Sequence, residues 1–230
     1  MHKYIFLFVM IVSVCIATFS CSQGEKYPET ESFDSQTEEA ASSEPQLNIT
    51  VPDQLTAILH AGGALDGMQL LNCQEAFYLY YDMGYRFFEY DLKLSSDGKL
   101  MGTHSWEYLT GGYDGMTYQD FLSLRLEGGY TPVNEDWLID MIKQYSDVTV
   151  VADAKMETMS LDAEVIKRLY ELQTIHGIDL SDRIIPEVFS VEMWEAIKDE
   201  TSFSKYLFSR YKVYYSIDTI IDNFLLEKFI

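Results

Sequence analysis

Residues 59–106 read LHAGGALDGMQLLNCQEAFYLYYDMGYRFFEYDLKLSSDGKLMGTHSW. A short apolar run, Leu55–Leu59, precedes it and ends against His60; it reads as a first strand. Residues 74–83 carry Ala76, Phe77, Leu79 and Tyr80 at helical spacing, and residues 85–92 read as a second strand. Glu89 and Asp91 lie two apart on that strand, so both side chains leave the same face. Inward positions of a parallel strand are ordinarily Val, Ile or Leu, so a pair of carboxylates there marks a site. His60 and His104 bracket the pair. Two imidazoles around two carboxylates is equipment for moving protons beside a hard cation.

Working outward, Ser95-Ser96-Asp97-Gly98 is a turn signal, and residues 99–104 return as an extended segment. A helix is predicted over 136–145, a buried strand over 147–152 and an amphipathic helix over 161–177. Strand 183–189, helix 191–198, strand 205–209 and a last helix over 217–229 complete the pattern. Strand alternating with helix implies an α/β fold with a parallel sheet, and the repeated unit suits a (β/α)8 barrel of the TIM type. Such a barrel usually takes about 250 residues. Here only about five to six βα units are legible, so the expectation is an incomplete, C-terminally truncated barrel. Chemistry in this fold sits at the C-terminal ends of the strands, where His60, Glu89, Asp91, Asp153 and Glu187 all fall.

The ordered set His60-Ala61-Gly62, Asn72 with Glu75-Ala76-Phe77, Glu89-Tyr90-Asp91, Asp97-Gly98 and His104-Ser105 resembles the glycerophosphodiester phosphodiesterase family. That family lies within the wider group of phosphatidylinositol-phospholipase-C-like phosphodiesterases. The HAGG form followed by His-x-Trp looks like a bacterial branch of it, and residues 150–155 (VVADAK) resemble the family's third strand. There are departures: Ala61 stands where many members have arginine, Ser105 where they have aspartate, and Asp153 where they have glutamate.

The resemblance implies a phosphoric diester hydrolase that cleaves a glycerophosphodiester to an alcohol and a phosphomonoester. His60 and His104 would act as general acid and base, in an order the sequence leaves open. Glu89, Asp91 and Asp153 would hold a divalent cation; an oxygen-only ligand set favours Ca²⁺ or Mg²⁺. Lys155 would place positive charge near the phosphate. Asn72, Glu187 and Trp106 are weaker phosphate- or substrate-binding candidates. Two other readings stay open. One is a lyase that stops at a cyclic phosphate. The other is an inactive, surface-tethered phosphate-binding protein, motivated by the three departures and the missing strands.

The chain has 230 residues, 47% of them hydrophobic and 14% aromatic, which is enough for one sizeable core. Its net charge of −21 argues against nucleic acid and anionic membrane surfaces as electrostatic partners. Residues 1–20 read as a bacterial lipoprotein signal peptide: Lys3, then a nearly unbroken apolar run over 4–19, ending Ser20-Cys21. Cys21 is the expected lipidation site, giving a membrane anchor on the periplasmic or cell-surface side. Residues 21–50, rich in Glu, Ser, Gln and Thr, read as a disordered tether, and 51–230 as the catalytic domain. With Cys15 removed and Cys21 lipidated, Cys73 is left alone, so no disulfide framework is expected. Cys73 reads as a small buried residue and His176 as a helix C-terminal histidine. The small-molecule phosphodiester is the expected partner, with no protein partner indicated. The Gly/Tyr-rich stretch 111–130 is the expected specificity loop.

Overall fold

The computed structural model describes residues 55–209. The expected signal peptide over 1–20, the expected lipidation site Cys21, the expected tether over 21–50 and the helix expected over 217–229 lie outside the described residues. In chain order the elements are β1 (Leu55–Leu59), α1 (Gln74–Asp82), β2 (Tyr85–Leu94), β3 (Leu100–Gly102), α2 (Tyr118–Leu122), α3 (Glu135–Gln144), β4 (Thr149–Ala154), α4 (Met159–His176), β5 (Ile184–Val188), α5 (Val191–Ile197) and β6 (Leu207–Phe208).

Among the described residues the sheet has six strands, with β1-β2-β4-β5-β6 in parallel succession and β3 paired antiparallel to β2. The arrangement is a curled parallel half-barrel, the α/β architecture of an incomplete TIM-type barrel. Every strand expected from the sequence forms. The 99–104 return is a hairpin rather than another barrel strand: Leu94 faces Leu100 and Leu92 faces Gly102 across the Asp97-Gly98 turn.

Local chemistry sets the element boundaries. Asn134, Thr158 and Ser190 each accept a hydrogen bond from the backbone N–H three residues on, starting α3, α4 and α5. Gly177, at φ 61°, ends α4 in the left-handed conformation directly after His176. On β2, Phe88, Tyr90 and Leu92 face outward and pack against the helices with Phe77, Leu138, Val150, Ala152, Leu169 and Trp194. Glu89, Asp91 and Lys93 therefore share the opposite, concave face. A second cluster, built on Leu71, Cys73, Met101, Met116, Phe121 and Leu126, gathers the connection between β3 and α3 into a packed wall. The short helix α2 inside that connection was not legible in the sequence; Thr117 caps it.

A buried ionic cluster ties three elements together. The Glu135 carboxylate, 0% exposed, accepts from Lys99 Nζ (2.7 Å), Leu100 N (3.1 Å) and Arg168 (2.6 and 2.9 Å). This pins α3 to β3 and α4. Burial raises the pKa of Glu135, but the bonds from Arg168 and Lys99 outweigh it and hold it below the ordinary glutamate value.

Candidate active site

β1 delivers His60 at its C-terminal end, where the chain turns sharply. Ala61 sits at φ 50°, ψ 35°, an uncommon conformation for a residue with a Cβ. The turn aims the Ala61 N–H at Glu89 Oε2, 2.5 Å away. Ala61 thus positions Glu89 through its backbone, a role its side chain could not announce. The next two residues must be glycine. A Cβ on Gly62 would come within 2.7 Å of the Tyr90 ring, and one on Gly63, at φ 102°, within 2.3 Å of Tyr80.

Glu89 and Asp91 are buried on β2, in register with Val151 and Asp153 of β4. Asn72, 0% exposed and at φ 49°, meets Asp91 twice. Its Nδ2 donates to Asp91 Oδ2 (2.8 Å), and its Oδ1 accepts from Asp91 N (2.9 Å). It is a brace for Asp91. Lys155 reaches across to Asp91 Oδ1 (3.2 Å) and to the carboxylate of Asp153. The Asp91 contact is an ion pair without hydrogen-bond geometry, so it leaves Oδ1 without a hydrogen bond among the described residues.

His60, Glu89 and Asp91 each offer one ligand atom, all within 4.8 Å of one another. His60 Nε2 is 3.9 Å from Glu89 Oε2, and its side chain is 68% exposed, open to an incoming molecule. Glu89 Oε1 is buried with no hydrogen-bond partner among the described residues. Burial pushes the Glu89 carboxyl well above its ordinary pKa; Asp91, Asp153 and Glu187 add to the rise and the Ala61 N–H opposes it. A divalent cation would take up the orphaned oxygen and the crowded charge together, so the residues fit one. The trio holds two of the three carboxylates the sequence pointed to; the third, Asp153, is in register with Asp91 on β4, and Lys155 pairs with both.

β3 brings in the second histidine. Thr103 N donates to Asp91 O (3.0 Å), so His104 follows one residue beyond a direct tie to the carboxylate strand. The His104 ring lies edge-on to Tyr108, and its Nδ1 and the neighbouring Ser105 Oγ are buried without hydrogen bonds among the described residues. Trp106, half-buried, packs against the second core cluster and faces the Lys93 ammonium, 5.4 Å from its ring centre. Glu187 is buried at the end of β5, opposite Leu207. Cys73, at the N-terminus of α1, is buried, and desolvation pushes its thiol up to about 11, so it is packing rather than a nucleophile.

Sequence reasoning missed Lys93. It continues the Glu89, Asp91 alternation by one more step, and that spacing was its signal.

No family model matches the chain, and no curated protein matches it. Solved structures do. A glycerophosphoryl diester phosphodiesterase from Parabacteroides distasonis superposes with a TM-score of 0.56 at 16% identity, over 77% of this chain and 62% of that one. A glycerophosphodiester phosphodiesterase from Thermotoga maritima gives 0.53 at 19% identity, over 72% and 69%. One from Agrobacterium tumefaciens gives 0.51 at 17%, over 65% and 64%. At these identities the likeness is one of fold. The chain spans less than two thirds of the length of the first of these.

Proposed function

We propose that this chain is a divalent-metal-dependent phosphodiesterase acting on glycerophosphodiesters or related small diesters. The observation that carries the reading is the convergence of His60, Glu89 and Asp91 ligand atoms at the strand ends, with Glu89 Oε1 buried and without a hydrogen bond among the described residues. The fold shared with glycerophosphodiester phosphodiesterases supports it, as do the family-like motifs around both histidines.

Glu89 and Asp91 would hold the cation, with the His60 imidazole beside them kept for proton transfer. Bound there, the cation would neutralise charge developing on the phosphate oxygens. Asn72 and the Ala61 N–H keep the two carboxylates in place. Of His60 and His104, one takes the proton from the hydroxyl neighbouring the phosphate as its oxygen bonds to phosphorus. The other gives a proton to the departing alcohol as its P–O bond breaks. Water then opens the cyclic ester with the proton roles reversed, leaving a phosphomonoester. Imidazole suits both parts, since its ordinary pKa lies near neutrality. Lys155 supplies positive charge beside the carboxylates.

The lipoprotein-like signal and Cys21 add a location: a lipid anchor holding the enzyme in the bacterial cell envelope. No helix among the described residues is long and apolar enough to cross a membrane.

The test is turnover of glycerophosphocholine, which carries the neighbouring hydroxyl, with Ca²⁺, Mg²⁺ or EDTA, for the unaltered chain, His60→Ala and His104→Ala. Metal-dependent turnover that falls by at least about 100-fold in each variant supports the reading. Turnover indifferent to EDTA, or unaffected by both substitutions, sinks it.

A further inference from the structure

The Lys93 side chain is 8% exposed, an unusual burial for an ammonium. It stands on β2 two residues beyond Asp91 and faces the same side of the sheet. Its Nζ donates to the backbone carbonyl of Lys155. It also lies 3.5 Å from the half-exposed Glu157 carboxylate and 5.4 Å from the centre of the Trp106 ring. The other polar group of the same residue is held by β2 as well: Lys155 N donates to Leu92 O (2.9 Å). Consecutive residues of β2 thus clamp the Lys155 main chain from both sides. Just past it, Met156 N donates to the buried Asp162 (2.8 Å). The side chain carried by this fixed peptide is the one that reaches Asp91 and Asp153.

We propose that Lys93 is a positioning residue: it fixes the Lys155 peptide so that the Lys155 ammonium stays seated at Asp91 and Asp153, and it links that seat to the Trp106 segment that follows His104. This rests on the phosphodiesterase reading for its consequence in turnover, but not for the seat itself. With an apolar side chain at 93, the Lys155 carbonyl loses its donor, the end of β4 is free to shift, and Lys155 leaves the carboxylates. Misplacement of about 1 Å near reacting groups costs on the order of 100-fold in rate.

Two arms test this on the full chain. In the first, lysine side chains labelled with ¹³C and ¹⁵N are followed by NMR in the unaltered protein and in Lys93→Met, with Lys155→Met identifying the Lys155 signal. The Lys155 signal should move to the position of exposed lysines, while those of Lys99, Lys167 and Lys198 stay. If Lys155 does not move, the proposal is wrong. Movement of every lysine signal overturns it too, since that reports general loosening. Should Lys93→Met fail to fold, Lys93→Val, which also leaves the Lys155 carbonyl without a side-chain donor and suits a strand, carries the same reading. The second arm is a double-mutant cycle on glycerophosphocholine. Lys93→Met should lower kcat/KM about 10- to 100-fold, and adding it to Lys155→Met should cost nothing further. Multiplying losses would overturn action through Lys155, as would unchanged turnover in Lys93→Met. If the unaltered chain has no turnover at all, the phosphodiesterase reading has failed, and the NMR arm still decides the seat.

Discussion

Asn72→Ala offers a sharp probe of how the carboxylate strand is held. Asn72 is 0% exposed and bonded reciprocally to Asp91, through Asp91 Oδ2 (2.8 Å) and Asp91 N (2.9 Å). Losing a hydrogen bond to an ionised partner costs about 1.5–3 kcal/mol, and a buried N–H left without an acceptor costs about 1–3 kcal/mol. The left-handed φ of 49° adds about 1 kcal/mol against alanine. The expected loss is about 3.5–7 kcal/mol, a large share of the ~5–15 kcal/mol that stabilises a typical domain. At a urea slope of about 2 kcal/mol per molar, the unfolding midpoint should fall by roughly 2–3.5 M. Trp106, Trp137 and Trp194 provide the fluorescence signal. Asn72→Gly relieves only the backbone part and should recover about 0.5–1 kcal/mol relative to Ala. A midpoint shift below about 0.5 M in Asn72→Ala would refute the brace.

Glu135→Gln, which leaves Arg168 and Lys99 without their buried counter-charge, should cost about 3–5 kcal/mol by urea unfolding. Because the folded pKa of Glu135 is depressed, its stabilisation is present above the ordinary glutamate value and is lost as pH falls through the folded one. The unaltered chain should therefore weaken in acid more steeply than the Gln variant. Glu89 has the opposite sign: its folded pKa is raised, so its ionisation destabilises the fold increasingly as pH climbs from the ordinary value toward the folded one. Glu89→Gln should accordingly raise Tm at neutral pH in EDTA and abolish any rise given by Ca²⁺, as thermal melts would read. Gly63→Ala, with φ 102° and a ring 2.3 Å from the new Cβ, should lose at least about 2 kcal/mol, while Gly98→Ala, in open space, should lose only its turn strain.

Most of the architecture was legible because strand and helix periods alternate cleanly. α2 was missed because a five-residue helix in a Gly- and Tyr-rich stretch has no period to read. The site was legible where side chains carry it: Glu89 and Asp91 stand out as carboxylates two apart on an apolar strand. It was not legible where the backbone carries it. Ala61 looks like the loss of an arginine in sequence, yet its main chain holds Glu89. The reach of Lys155 to Asp91 was not legible either, because that contact is set by the β2–β4 register rather than by spacing along one strand.

The central claim, metal-dependent cleavage of a glycerophosphodiester, is tested most directly by ³¹P NMR of glycerophosphocholine with the full chain and Ca²⁺ or Mg²⁺. The account predicts that the diester signal is replaced by a phosphomonoester signal, and that EDTA or His60→Ala stops the conversion. An unchanged diester signal, with the protein folded and the metal bound, would contradict it.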